Sequence, residues 1–132
     1  MSYPSAAVAY REREVLTATP GRLVVMVFDH LLVNLRRARV GMETDNVTLR
    51  AESVAKAREA VMELLATTDV DRGGSIANNL RSIYVYLFRE LITLGNRSDV
   101  SKIDGFIRIV TDLRDAFATI TTNNTAARVP AA

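Results

Sequence analysis

Apolar residues recur every three or four positions in four successive stretches of the chain, which is the spacing of one face of an α-helix. The predicted helices span about residues 20–42, 48–67, 74–94 and 100–120. Their apolar faces comprise, helix by helix, Val24, Phe28, Leu31, Leu35, Ala38 and Met42; Val54, Ala57, Val61, Leu64 and Leu65; Ile76, Leu80, Ile83, Leu87, Leu91 and Leu94; and Ile103, Phe106, Ile107, Val110, Leu113, Phe117 and Ile120. The links between the helices are short, so sequence neighbours are expected to run antiparallel. The pattern therefore predicts an all-α protein, an antiparallel up-down four-helix bundle.

The bundle is expected to occupy residues 19–120, between an N-terminal arm and a tail. Thr19 and Pro20 mark its start, because threonine is a favourable N-cap and proline is favoured at the first helical position. The arm, residues 1–18, is expected to form a helical turn or two and to cap the bundle, with Tyr10, Val15 and Leu16 as its apolar contacts and with the ring of Tyr10 packed on apolar surface. Residues 121–132 are small, polar and aperiodic, and are expected to be a disordered tail.

Two of the predicted helices carry more apolar residues than an inward-facing stripe requires. In the third helix the surplus consists of Val85, Tyr86, Phe88 and Ile92. In the first helix Met26, Val33 and Val40 recur at intervals of seven. Two interpretations compete at this point. Either these helices are central and contact neighbours on several sides, or the surplus lines a groove that accepts an amphipathic helix of a partner protein.

The amino-acid composition excludes several classes of function but does not identify the function. The chain has 132 residues, of which 48% are hydrophobic and 24% charged, as is usual for a globular domain. Cysteine is absent, which removes disulfides, thiolate catalysis and zinc–thiolate sites and fits a cytoplasmic protein. No apolar run is long enough to span a membrane, and the N-terminus does not resemble a secretory signal. The net charge is only +2, so the small arginine cluster at residues 36–39 is better explained by the helix dipole than by nucleic-acid binding.

The residues of a metal or cofactor site are also missing. A di-iron carboxylate bundle requires two Glu-x-x-His motifs, whereas His30 is the only histidine and Val27 lies three positions before it. Gly73 and Gly74 are not followed by the lysine of a phosphate-binding loop. Neither an enzyme nor a metal or cofactor is therefore expected.

Several blocks of the sequence resemble the FliS family of flagellar export chaperones. Ala9-Tyr10 with Val15 and residues 17–20 are similar to the family's opening block, and residues 26–29 to its next block. The run from Asp71 to Leu80 followed by residues 83–86, with Lys56-Ala57 and Glu63-Leu64 before it, resembles the central block. Residues 113–117 resemble the terminal block, so the likeness extends from residue 9 to about 120. The departures from the family pattern are Phe28 for tyrosine, His30 for glycine, Ser75 for glutamate and Phe117 for tryptophan.

The resemblance implies a helical bundle with an N-terminal cap and a chaperone function in the cytoplasm. The implied partner is the disordered C-terminal segment of flagellin, which the chaperone keeps from polymerising and delivers to the flagellar type III export apparatus. Other flagellar export or regulatory proteins are further candidate partners, and the chain itself is expected to be a monomer or weak homodimer. The predicted partner-binding residues are Tyr10, Val15, Leu16, Met26, Val33, Val85, Tyr86, Phe88 and Ile92. Two alternatives remain open: a small helical enzyme of the chorismate mutase type, which the arginine surplus suggests, and a structural dimer in which the surplus stripe is the self-interface.

Overall fold

A computed structural model of the protein describes residues 5–10 and 20–127, and these residues are almost entirely helical. A short helix, α1, covers residues 6–10. Four long helices follow: α2 (Pro20–Glu43), α3 (Val47–Thr67), α4 (Val70–Asn96) and α5 (Val100–Ala127). The described residues contain no strand, and the all-α prediction is confirmed.

The long helices form an antiparallel bundle in which each contacts its neighbours along the chain. α2 packs closely against α3 and α5, and α3 packs against α4. α4 and α5 are joined by a tight turn and meet through side chains, because the ring of Tyr86 lies edge-on to Phe106 with 6.0 Å between ring centres, and Lys102 forms an ion pair with Glu90. α2 and α4 therefore lie across the bundle from each other, and this relation matters for the surfaces described below.

Two ion pairs set the register of α2 against α5. Arg114 Nε donates to Asp29 Oδ1 at 2.8 Å, and Arg39 Nε donates to Asp104 Oδ1 at 2.5 Å. The two pairs are ten residues apart on both helices and run in opposite directions, as antiparallel neighbours require. The hydrogen bond from Arg39 lowers the pKa of Asp104, and the hydrogen bond to Asp29 raises the pKa of Arg114. Both carboxylates are partly exposed, so each pair fixes geometry more than it adds stability.

The core is built around Phe28, which is fully buried on α2. Its ring lies 6.3 Å from the ring of Tyr84 and 5.3 Å from that of Phe117, measured between centres. Most residues predicted to face inward are buried in this core or packed partly against it, as the pattern predicted. The pattern missed Tyr84, of whose surface only 2% is exposed, and on α2 it also missed Val25 and Leu32.

Two residues predicted to be core are instead exposed: Ile76 on α4, which is 72% exposed, and Ile120 on α5. The buried row of α4 begins at Ala77 and continues through Tyr84 and Leu87, so the inward face is shifted by one position from the predicted row at this end of the helix. Both isoleucines therefore lie at the rim of the bundle rather than inside it.

α4 begins at Val70, about four residues before the predicted start, because Asp69 caps a first turn by accepting a hydrogen bond from the backbone N–H of Arg72 at 3.2 Å. The helix is kinked at Gly74, whose φ of 59° lies in the left-handed region. A side chain on Gly73 would also collide with Ala77, since an added Cβ would lie 2.5 Å from Ala77 Cβ. Gly74 therefore permits the kink, and Gly73 permits the close approach of Ala77 beside it.

α5 continues to Ala127, seven residues beyond its predicted end at Ile120. The prediction that the tail begins at residue 121 is therefore wrong for residues 121–127. No glycine or proline lies between Gly105 and Pro130, so nothing in this stretch breaks the helix. Residues 128–132 lie outside the described part of the chain.

Candidate protein-binding surface

The outer side of α4 carries a shallow cleft of about 600 Å³, here called the α4 cleft. Residues one and two helical turns apart line it: Asn78, Arg81, Ser82, Val85, Tyr86, Arg89 and Glu90. Val85 is half-buried, and about half of the surface of Tyr86 remains exposed. Val85 and Tyr86 supply the apolar part of the lining and the other five residues are polar or charged, a mixture that also occurs at protein interfaces.

Ile92 extends the apolar surface of the α4 cleft along the same helix. It lies seven residues after Val85, which places both side chains on one face, and it is 44% exposed. Phe88 lies on this face too, but it is half-buried and packs against the core. Phe88 is therefore shared between the core and the surface, whereas Val85 and Ile92 are the residues that a partner could cover.

The charges at the α4 cleft leave it locally positive. Its single carboxylate, Glu90, is paired with Lys102 of α5, and this hydrogen bond raises the pKa of Lys102. Arg81 and Arg89 lie four residues before and four residues after Val85. Neither makes a hydrogen bond or ion pair within the described residues, so both guanidinium groups are available to a partner.

A second cleft, of about 520 Å³, opens at one end of the bundle and is here called the bundle-end cleft. Ile76 and Ile120, the two misplaced core residues, line it together with Tyr84 and Phe117. The remaining lining residues are Val24, Thr67, Thr68, Asp69, Arg72, Gly73, Ala77 and Leu80. Burial raises the pKa of Tyr84 to about 12. Periodicity missed this cleft because it does not show where a helix extends past its neighbours.

The predicted partner-binding residues do not form one surface. Met26 is half-buried and Val33 is 43% exposed, but both lie on α2, across the bundle from the α4 cleft. Tyr10 is 70% exposed, so the expectation that its ring packs on the bundle is wrong. Val15 and Leu16 lie outside the described residues.

The described residues offer little for chemistry. Within residues 5–10 and 20–127, no three histidine or acidic side chains come close enough to hold a metal ion. His30 is exposed, and its contact is with Asn34, whose amide nitrogen lies 3.4 Å from His30 Nε2 and donates to the backbone oxygen of His30 at 3.0 Å. No helix in the described part of the chain is both long enough and apolar enough to cross a membrane.

Comparison with known sequences gives a consistent result along most of the chain. The model of the family described as flagellar protein FliS matches residues 3–124. The flagellar secretion chaperone FliS of Salmonella typhimurium is 32% identical over 110 residues, covering 83% of this chain and 82% of the relative. The protein of the same name from Bacillus subtilis is 29% identical over 117 residues, covering 89% of this chain and 86% of the relative. These relatives are named chaperones, and none of the comparisons supports a chorismate mutase.

Comparison with solved structures supports the same fold. The crystal structure of a bacterial flagellar chaperone superposes with a TM-score of 0.73, covering 90% of this chain and 99% of the other. The two sequences are 16% identical, so this likeness speaks for the arrangement of the helices and not for shared binding residues.

Proposed function

The chain belongs to the FliS family of flagellar secretion chaperones, and we propose that it binds the C-terminal segment of flagellin in the cytoplasm, prevents premature polymerisation and delivers the segment to the flagellar type III export apparatus. The proposal treats the protein as a binding module without catalytic activity. Its cargo is taken to be an amphipathic segment whose apolar face would otherwise assemble with other flagellin chains.

The observation that carries the proposal is the exposed apolar surface of the α4 cleft. Val85 and Ile92 are seven residues apart on one face of α4, where Ile92 is 44% exposed and Val85 is partly exposed. An amphipathic helix laid along α4 would bury both side chains and close the cleft from the outside. Because the cargo must lose chain entropy as it orders, the affinity can remain low enough for release at the export apparatus.

The positive charges of the α4 cleft favour a cargo segment that carries acidic residues. Arg81 and Arg89 lie eight residues apart, which is about 12 Å along the helix axis. A cargo helix with carboxylates at a similar spacing on either side of an apolar residue would pair with both arginines. Such pairs contribute more to partner choice and association rate than to affinity.

The arm is proposed to take part in cargo binding. The ring of Tyr10 is largely exposed in the free protein, and tyrosine is a residue type that gains from burial at protein interfaces. We propose that Tyr10, Val15 and Leu16 close over bound cargo as a clamp. Deleting residues 1–18 should then weaken flagellin binding, and Tyr10→Ala should reproduce part of the loss, while circular dichroism shows an intact bundle. Tighter binding after the deletion would instead indicate a lid that competes with cargo, and unchanged affinity for both variants would exclude a binding role for the arm.

Co-purification tests the proposed function directly. The tagged chaperone should retain full-length cognate flagellin and lose it when the flagellin C-terminal segment is removed. A flagellin truncated at the N-terminus by the same number of residues serves as the matched control and should still be retained. Retention that is indifferent to the C-terminal truncation would refute the cargo assignment.

A further inference from the structure

The outer face of α2 carries a row of apolar residues with heptad spacing and no covering helix in the described structure. Met26, Val33 and Val40 lie seven residues apart. Val33 is 43% exposed and Val40 is 48% exposed, whereas Met26 is half-buried. A heptad row on a helix surface is the pattern with which two helices pack along their length.

A second row with the same spacing runs beside the apolar one and alternates in charge. It consists of Arg22, Asp29, Arg36 and Glu43. The row lies on the side of α2 that faces α5, because Asp29 pairs with Arg114 of that helix. Positive, negative, positive and negative side chains therefore follow one another along one edge of the apolar row.

We propose that the outer face of α2 binds the same face of a second copy of this chain, with the two α2 helices antiparallel and the two-fold axis passing beside Val33. A two-fold interface brings a patch against itself, so the patch must be self-complementary. The apolar row meets this condition when the partner helix runs in the opposite direction and is aligned at Val33, because Met26 and Val40 are equally far from Val33. Each Met26 then faces the partner's Val40, and the two Val33 side chains face each other.

The charged row is self-complementary in the same register. In an antiparallel pair, equivalent edges of the two helices lie side by side. Asp29 lies about 6 Å before Val33 along the axis and Arg36 about 4.5 Å after it, so reversal brings Asp29 level with the partner's Arg36 to within about 1.5 Å. Arg22 comes level with the partner's Glu43 in the same way. Two contacts between Asp29 and Arg36 and two between Arg22 and Glu43 therefore join opposite charges along this edge of the interface.

A parallel arrangement does not give this match. Parallel packing would place the charged row against the opposite edge of the partner helix, which carries Leu23, His30 and Arg37. Arg36 would then meet the partner's Arg37, a like-charge contact. The charge pattern therefore selects the antiparallel arrangement.

The side chains needed for these contacts are accessible. The side chain of Asp29 is 44% exposed even with Arg114 bound at Oδ1, which leaves Oδ2 for a second guanidinium. Glu43 is similarly exposed beside Arg39. Arg36 is exposed and makes no hydrogen bond or ion pair within the described residues. The apolar row is short, so the interface belongs among the small, transient ones and dissociation on dilution is expected.

Disulfide trapping tests this geometry, and the natural absence of cysteine makes it specific. In Val33→Cys the two thiols face each other across the two-fold axis and should form a disulfide-linked dimer under mild oxidation. Val40→Cys alone should not cross-link, because two Val40 positions would be about 21 Å apart, far beyond the reach of a disulfide. A mixture of Met26→Cys and Val40→Cys should again cross-link.

Charge reversal tests the same interface by a measurement of self-association that needs no introduced cysteine. Arg36→Glu turns two attractive contacts into repulsive ones and should weaken self-association, measured by sedimentation equilibrium, by about tenfold or more. Arg97→Glu makes the same charge change at the exposed α4–α5 turn and should leave it unchanged. Val40→Cys cross-linking as readily as Val33→Cys, or equal dissociation constants for the two charge variants, would overturn the proposal. A third outcome would also overturn the proposal: the Val33→Cys protein stays monomeric, and bound flagellin protects its thiol from modification. The outer face of α2 would then be part of the cargo-binding surface.

Discussion

Ile92→Asp should weaken flagellin binding by roughly 10- to 500-fold while leaving the bundle folded. Fully burying an isoleucine is worth about 1.5–3 kcal/mol, and Ile92 keeps 44% of its surface exposed, so covering it would contribute roughly 1 kcal/mol. A carboxylate at the covered position loses this contribution and adds about 1–3 kcal/mol of desolvation. An ion pair with Arg89, three residues earlier, offsets only about 0.2–0.5 kcal/mol. The expected loss in binding free energy is therefore about 1.5–3.8 kcal/mol, at about 1.4 kcal/mol for each tenfold change in affinity.

The same substitution should cost the free protein much less. The buried half of Ile92 is worth about 1–1.5 kcal/mol, and the new carboxylate can reach water from a partly exposed position. A bundle with a free energy of unfolding of about 5–15 kcal/mol tolerates this loss. Binding is measured by calorimetry with a peptide of the flagellin C-terminal segment, and folding by circular dichroism and urea titration.

Val40→Asp provides the matched control for this experiment. Val40 is 48% exposed on a long helix, like Ile92, but it lies on the opposite side of the bundle. At protein concentrations where the chain is monomeric, its substitution should leave peptide binding unchanged. Equal losses from both variants would show that the cargo contacts both faces. An Ile92→Asp protein that folds and binds normally would move the cargo site away from α4.

Three further outcomes are expected. Arg81→Glu with Arg89→Glu should weaken peptide binding and flatten its salt dependence, because both side chains are exposed cations beside Val85; a salt dependence equal to that of the natural chain would refute their role. Gly74→Ala should lower the free energy of unfolding by about 1–2 kcal/mol, since φ is 59° at this position. Gly105→Ala, at a position on α5 with open space around it, should raise the free energy of unfolding by about 0.5–1 kcal/mol. Urea titration compares the two variants, and equal shifts would contradict the strain expected at Gly74. Burial raises the pKa of Tyr84 to about 12. The contribution of Tyr84 to the free energy of unfolding should therefore be fully present below pH 10 and should fall as the pH rises towards 12. Thermal melts of Tyr84→Phe should show a smaller loss of stability over this pH range.

The sequence predicts the bundle because its helices are amphipathic over many turns and its links are short. The centre of the core follows from the same pattern, and Phe28, Leu87 and Val110 are all buried as their spacing predicts. Helix ends are less predictable. Ile76 belongs to the predicted apolar row of α4, yet Tyr84 is the residue that packs beside Phe28. The buried row runs from Ala77 through Tyr84 to Leu87, and periodicity alone does not distinguish it from a row that begins one residue earlier.

Surface and core residues of α4 cannot be separated by composition, since both draw on the same apolar residue types. Val85, Phe88 and Ile92 share one predicted stripe, but Phe88 is partly taken up by the core and the other two are not. The difference depends on how closely α3 and α5 approach α4, which is a tertiary property. Nor does periodicity reveal that the surplus residues of α2 and α4 lie on opposite sides of the bundle, because it describes each helix separately.

The separation of these two faces links the proposals for cargo binding and self-association. A partner copy seated on α2 would leave the α4 cleft open, because α2 and α4 meet only across the core, where Phe28 packs against Tyr84. Each subunit of the proposed dimer could therefore carry its own flagellin segment, and occupancy of one face would not block the other. The charge patterns reinforce this division. The edge of α2 alternates in sign and matches itself when reversed, whereas the α4 cleft offers two unpaired arginines and repels a second copy of the same cleft. A surface whose unpaired charges are all positive selects an acidic partner, and only the alternating surface selects a second copy of itself.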